Sequence, residues 1–374
     1  MLAAVRRFFR PESLLPSPEG LDWSELLRLA DRHAVTAFLC HSCPNPELRE
    51  IAMKAARVNL TLSAELLKLL DLFKQQAIDV VSLKGPVLGA ALYGDEALKT
   101  SSDLDLLVRP RDALRAIHAM LAACYRLTSV QHWSGDGAYL RDLNGELSFS
   151  DPAGDLKIDL HWRLLPTYYP ALFDDAELWG KLRPVPWGRT RALTLAPEHL
   201  LLFLCAHGTK HSWERLGWLC DTARLIQVES ELNWSEVFAQ ARRTDTSRML
   251  SLGLLLASDL LGVDIPPAAA RLADADARTR ALAGTALERL RADSPVSALD
   301  TARFGLRAFE RRDNRMRLIA GMVCQPTEAE YRALKLPPGL YWLYYLFRPL
   351  RLAVRYSRRF IGRQMVSRHA LRAP

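Results

Sequence analysis

The sequence predicts an α+β protein: a small mixed β-sheet flanked by helices, with a largely helical C-terminal half. Three observations carry this prediction. Helical periodicity dominates residues 1–76. Short β-branched or alternating runs cluster between 78 and 161. From 195 to about 333 the apolar spacing is helical again, with Pro266-Pro267 as an internal break.

Each element has its own signal. In LDWSELLRLADRHAVTAFL, Leu26, Leu27, Leu29, Ala30, Ala34 and Val35 recur near the helical period, and Pro44 and Pro46 end the run. A second helix is expected over 47–76, with Leu66, Leu67, Leu69, Leu70 and Phe73 on its apolar face. Residues 78–83 (IDVVSL) read as a strand, followed by a Lys84-Gly85-Pro86 turn and a short helix that ends at Gly94-Asp95. Residues 104–108 (LDLLV) form a second strand. A helix follows over 110–124, with Pro near its start. Residues 145–150 and 156–161 pair as a hairpin around Asp151-Pro152-Ala153-Gly154. The resulting organisation is a helical segment at 1–76, a sheet-bearing core at 77–165, a helical domain at 190–335 and a basic aromatic tail at 336–374.

Composition narrows the class. The chain has 374 residues, 49% hydrophobic and 25% charged, which excludes a mostly disordered or collagen-like protein. No apolar run of 18 residues is present, so no membrane-spanning helix is expected. The start, MLAAVRRFFRPES, lacks the apolar stretch of a signal peptide, and six cysteines do not make a disulfide framework. A cytoplasmic protein is the expectation. The net charge of +8 is local: 331–374 holds one Lys and nine Arg with no acidic residue, leaving the rest of the chain at −2. A body without net positive charge ranks a nucleic-acid partner below the others.

The chemistry concentrates at Asp103-Leu104-Asp105. Residues two apart on a strand share a face, so both carboxylates point one way while Leu104, Leu106 and Val108 point into the core. Two like charges this close call for a cation, and carboxylate oxygens suit Mg²⁺ or Mn²⁺. In LKIDLHW, Asp159 falls on the polar face of another strand and supplies a third carboxylate. Three such groups could hold two metals and serve phosphoryl transfer. An isolated D-x-D, by contrast, is most often a solvated strand face.

The stretch also resembles a family. Leu83-Lys84-Gly85, Leu92-Tyr93-Gly94-Asp95, Ser102-Asp103-Leu104-Asp105-Leu106-Leu107-Val108 and Ile158-Asp159-Leu160-His161-Trp162 look like the uncharacterised nucleotidyltransferase family of bacterial proteins, within the polymerase-beta-like superfamily. His207-Gly208-Thr209-Lys210-His211-Ser212-Trp213, Leu216, Trp218 and Asp221 extend the likeness, which spans about 20–225. The resemblance implies that 77–165 is a nucleotidyltransferase core and that Asp103, Asp105 and Asp159 ligate Mg²⁺ (or Mn²⁺). It implies transfer of a nucleoside monophosphate from an NTP to an unidentified acceptor, with Asp159 also able to take the acceptor's proton. Lys84, Gly85, Lys99 and Ser102 are the implied nucleotide contacts. The sequence departs from the superfamily at the phosphate-binding turn. Lys84-Gly85 stands where Gly-Ser is usual, 17 residues separate Gly85 from Asp103, and Lys99 replaces an expected Arg.

His207, Lys210 and His211 share a helix face at i, i+3 and i+4, and with His161 and Asp221 they are candidate substrate or phosphate contacts. Asp221 is placed to orient one of these side chains. A zinc-protease reading fails because the inner residues are Gly208-Thr209-Lys210, without the Glu of H-E-x-x-H. Cys40 and Cys43 have C-x-x-C spacing but no second pair, and the other cysteines read as buried thiols. The tail from 350 interleaves apolar residues with arginines. It reads as a peripheral anchor on an anionic membrane, as a nucleic-acid or acidic-protein contact, or as a helix docked on the body. Two alternatives to a transferase of unknown acceptor stand beside it: a non-catalytic nucleotide-binding or scaffold protein on the same fold, and a toxin-like transferase acting on tRNA. Asn in place of Asp103 or Asp105 is expected to abolish transfer and, by relieving like-charge repulsion, to leave the fold intact or more stable.

Overall fold

The computed structural model describes residues 1–15, 20–43, 45–128 and 145–354. In chain order the elements are α1 (Leu2–Phe9), α2 (Trp23–Arg32), α3 (Thr36–Ser42), α4 (Pro46–Gln75), β1 (Val80–Ser82), α5 (Pro86–Tyr93), β2 (Asp103–Val108), α6 (Ala113–Ala122) and β3 (Arg126–Leu127). The sheet continues with β4 (Glu146–Ser150) and β5 (Lys157–His161), then α7 (Asp175–Gly180), β6 (Leu182–Trp187) and β7 (Thr190–Leu195). The rest is helical: α8 (Pro197–Lys210), α9 (Leu216–Val228), α10 (Trp234–Arg243), α11 (Ser247–Leu261), α12 (Pro267–Ala275), α13 (Ala277–Arg291), α14 (Ala298–Ala308), α15 (Arg312–Cys324) and α16 (Glu328–Ala333). A last helix spans 343–354, and the remainder of the predicted tail, 355–374, lies outside the described residues.

The sheet is mixed, in the order β3-β4-β5-β2-β1-β7-β6. β2 and β5 run parallel, with Asp105 opposite Asp159. β4 and β5 form the expected hairpin, closed by Asp151, whose Oδ1 accepts from the N–H groups of Gly154, Asp155 and Leu156 at 2.7–3.0 Å. Two features differ from the sequence reading. The single early helix breaks at Ala34, which has φ +57°, into α2 and α3. The corner docks on α9, where the His33 carbonyl accepts from the Gly217 N–H at 2.9 Å. The β6–β7 hairpin has no counterpart in the sequence reading, and Pro184 and Pro186 are unusual residues for a strand. Both are tolerated on β6, the sheet's outer edge.

Strict alternation divides the sheet between two cores. Leu104, Leu106, Val108, Leu147, Phe149, Ile158 and Leu160 pack against Leu62, Leu66, Leu69 and Phe73 of α4 and Ile117 and Met120 of α6. Burying each such side chain contributes about 1.5–3 kcal/mol. On the opposite face Val81, Leu83, Leu107 and Leu195 join a larger cluster that runs from α1 through α8–α11 to α15. The polar residues of β2, β4 and β5 share this second face, and α8 and α9 stand over them.

Candidate active site

Period two in three neighbouring strands builds the polar floor. Asp103 and Asp105 on β2, Glu146 and Ser148 on β4, and Lys157, Asp159 and His161 on β5 alternate with the buried apolar residues. Register then groups them: Asp103 faces Lys157, Asp105 faces Asp159, and Glu146 faces His161. Gly85 follows β1 with φ +75°, a left-handed conformation that glycine adopts without a steric cost. A Cβ there would lie 3.5 Å from the Asp103 carbonyl oxygen.

Asp105 is the electrostatic hub. It is buried, with His161 Nε2 at 3.1 Å from Oδ1 and Lys84 Nζ at 3.5 Å from Oδ2. Burial opposes its ionisation, but the Lys84 ammonium and the His161 hydrogen bond outweigh burial and hold the carboxyl well below the usual range. His161 Nδ1 meets Glu146 Oε2 at 3.2 Å. Burial disfavours the imidazolium, yet its two carboxylate partners raise it to about 9, and Glu146 falls to about 2 in return. Asp103 behaves differently. It is partly exposed, and burial together with the Asp105 charge raises its carboxyl. Lys157 Nζ lies 2.6 Å from Asp159 Oδ2 and 3.6 Å from Asp103 Oδ2, bridging the two. Ser148 Oγ donates to Asp159 Oδ1 at 2.5 Å.

α8 and α9 form the wall. His207 and His211 meet at 4.6 Å between centroids with their rings tilted by 52°, and they pack against Trp218 at 5.5 and 5.1 Å. Burial lowers both imidazoles, His211 to about 3, so both are neutral near pH 7. Burial also lowers Lys210. Asp221 does not orient a histidine as expected. Its Oδ2 accepts from Lys99 Nζ at 2.5 Å and its Oδ1 from the Tyr93 hydroxyl at 3.1 Å. Trp213 is core rather than wall, and Cys124, read as a buried thiol, is exposed at the end of α6.

All twelve residues singled out in the sequence line one cavity of about 430 Å³. These are Lys84, Gly85, Lys99, Ser102, Asp103, Asp105, Asp159, His161, His207, Lys210, His211 and Asp221. Sequence reasoning missed Glu146, Lys157, Thr100, Ser101 and Arg215, which line it too. Period two could have found Glu146 and Lys157, which share a strand face with Asp159 once the hairpin is drawn. Among the described residues, the buried hydroxyl oxygens of Thr100 and Ser101 have no hydrogen-bond partner. Lys210 and Arg215 make no ion pair among the described residues, whereas Lys84, Lys99 and Lys157 each hold a carboxylate.

The carboxylates have the oxygen chemistry that suits Mg²⁺. Among the described residues, however, no three His, Cys, Asp or Glu side chains converge as a ready metal site. A cation already stands between Asp103 and Asp159, namely the Lys157 ammonium. Its side chain is 53% exposed. The carboxylates thus offer oxygen donors of the kind a divalent ion takes, with the Lys157 ammonium now lying between two of them.

No protein of curated function matches the chain. A solved structure, an antigenic nucleotidyltransferase-like protein from Paracoccidioides brasiliensis, is similar at 12% identity over 52% of this chain and 91% of that one, with a TM-score of 0.29. The family described as uncharacterised nucleotidyltransferase matches residues 19–262, which include every residue of the cavity. The chain belongs to that nucleotidyltransferase family.

Proposed function

We propose that this protein is a Mg²⁺-dependent nucleotidyltransferase that moves a nucleoside monophosphate from an NTP to an acceptor hydroxyl or similar group. The observation that carries the reading is the two-sided chemistry of one cavity. Asp103, Asp105 and Asp159 lie on its floor, and on its walls lie Lys210 and Arg215, which make no ion pair among the described residues, and the Thr100 and Ser101 hydroxyls, which have no hydrogen-bond partner among them. The volume falls within the range of small-ligand sites, about 300–1,000 Å³.

The carboxylates would hold the ion. When bound, Mg²⁺ would neutralise the triphosphate and steady the pyrophosphate leaving group. Lys210, Arg215, Thr100 and Ser101 then bind phosphate oxygens. The acceptor oxygen forms its bond to the α-phosphorus as the α–β bridging bond breaks and pyrophosphate departs. Asp159 takes the acceptor's proton, and Ser148 orients that carboxylate. His161, held by Asp105 and Glu146, positions Asp105. Lys84 serves Asp105 here rather than a phosphate.

A second reading, a non-catalytic nucleotide-binding or scaffold protein, draws on the saturation of Asp105 by Lys84 and His161. Thermal melting with ATP, GTP, CTP and UTP, with and without Mg²⁺ or Mn²⁺, separates the two. Transfer chemistry predicts a metal-dependent rise in Tm with at least one NTP, lost in Asp103→Asn, and NTP-dependent pyrophosphate release once an acceptor is supplied. A metal-independent rise favours the scaffold. No rise with any nucleotide overturns both.

A further inference from the structure

The last described helix is built inside out. Its inward side carries charge: Arg348 Nη1 meets Glu330 Oε2 at 3.0 Å, and Arg348 Nη2 donates to the Met322 carbonyl at 3.0 Å. Arg351 Nε meets Glu330 Oε1 at 2.6 Å. The Glu330 side chain is fully buried beneath them, and the Tyr344 hydroxyl donates to the Leu334 carbonyl at 2.7 Å. These contacts fix which side faces out. On that side Trp342, Leu346, Leu350 and Val354 follow at four-residue spacing and are 58%, 60%, 65% and 54% exposed. Residues four apart share a helix face, so they form one apolar stripe. A helix on the surface of a globular protein ordinarily turns such a stripe inward.

The chain beyond the stripe supplies charge. Residues 355–374 contain six Arg, and no Asp or Glu occurs after Glu330. An apolar stripe leading into a segment with six Arg and no acidic residue matches a surface that is apolar below and anionic above. We infer that helix 343–354 and the arginine-rich segment after it bind the surface of an anionic lipid bilayer. The stripe enters the acyl boundary and the arginines meet the lipid phosphates. A nucleic acid would satisfy the arginines but leave Leu346, Leu350 and Val354 in water, and the rest of the chain, at −2, adds nothing to a nucleic-acid footprint. No described helix is long and apolar enough to cross a membrane, so the attachment is peripheral. The inference stands apart from the reading of the catalytic cavity.

Vesicle co-sedimentation of the full chain tests it. The protein should pellet with phosphatidylcholine vesicles containing about one-third phosphatidylglycerol and stay in the supernatant with phosphatidylcholine alone. Leu346→Glu/Leu350→Glu should lower the partition at least about tenfold, with Tm unchanged because both positions are exposed. Arg355→Gln/Arg358→Gln/Arg359→Gln/Arg363→Gln should remove the dependence on anionic lipid. Failure to pellet with the anionic vesicles overturns the inference, as does pelleting that is indifferent to the leucine pair. Two other outcomes also overturn it. One is a dimer in light scattering that the leucine pair dissolves without any vesicle binding. The other is retention of RNA, but not of vesicles, that the arginine variant abolishes.

Discussion

Asp103 and Asp105 are two residues apart and chemically alike, yet their surroundings give them opposite characters. Asp105 is buried with Lys84 and His161 as partners, so its ionised form is part of the fold. Replacing it with Asn leaves two buried cationic groups undercompensated, and Asp105→Asn should cost on the order of 3 kcal/mol. Burial and the Asp105 charge both disfavour the ionised Asp103 carboxyl, so Asp103→Asn should leave Tm unchanged or raise it. Both should lose transfer by at least about a hundredfold. Paired melting curves and activity assays check this, and equal Tm changes for the two variants would contradict the burial argument. Relief of like-charge repulsion is thus expected at Asp103, while at Asp105 the loss of two cationic partners is expected to outweigh it. Lys157 gives a second prediction. Because it bridges Asp103 and Asp159, Lys157→Met should tighten Mn²⁺ binding by about tenfold, read by electron paramagnetic resonance without any substrate. Unchanged affinity would mean that the ammonium does not compete with the ion.

Elements impose constraints that single residues do not. α8 and the turn after it pack so closely that a Cβ on Gly208 would lie 2.6 Å from the Trp213 ring. Gly208→Ala should therefore cost about 1–3 kcal/mol by overpacking and should displace His207 and His211 from the cavity wall. Melting temperature and NTP affinity should fall together. The C-terminal helix has a pH-dependent tether. Burial opposes ionisation of Glu330, but Thr327 and the Arg351 and Arg348 guanidiniums outweigh it and hold the carboxyl at about 2, against 4.5 for a free glutamate. A depressed carboxyl contributes stability that is complete above about 4.5 and is lost as pH falls toward 2. Hydrogen exchange over 343–354 should accelerate across that window. Glu330→Gln should bring the same release, at least about tenfold, at pH 7. Exchange that is flat from pH 5 to 3 would show that other contacts hold the helix.

At the scale of the molecule, the N-terminal helices, the sheet and the C-terminal helices share one hydrophobic cluster that extends from Ala4 to Leu318. The segments read from the sequence at 1–76, 77–165 and 190–335 all contribute to it. One shared core should melt as one unit, so a single thermal transition is expected by near-UV dichroism and calorimetry alike. Residues 78–335 expressed alone should fail to fold, since Val5, Phe9, Phe38 and Leu39 would be missing from that core. Two resolved transitions, or a folded 78–335 fragment, would contradict the shared core.

Much of the site was legible because β-structure writes itself in period two. Leu104, Leu106 and Val108 against Asp103 and Asp105, and Ile158 and Leu160 against Asp159 and His161, assign faces before any partner strand is known. The i, i+3, i+4 spacing of His207, Lys210 and His211 did the same for α8. Local pattern says which way a side chain points, and it carried the fold class and the hairpin, whereas Lys84, Gly85, Lys99 and Ser102 became candidates through the family resemblance. It does not say which charge meets which. That depended on strand order and register, which placed Lys157 beside Asp103, Glu146 beside His161, and Lys99 against Asp221 across 122 positions of chain. Two further decisions were tertiary. An edge position made Pro184 and Pro186 acceptable in a strand, and a buried glutamate turned the last helix's arginines inward. In each case the deciding energy is a long-range contact or the loss of solvent, and neither is a property of the local sequence.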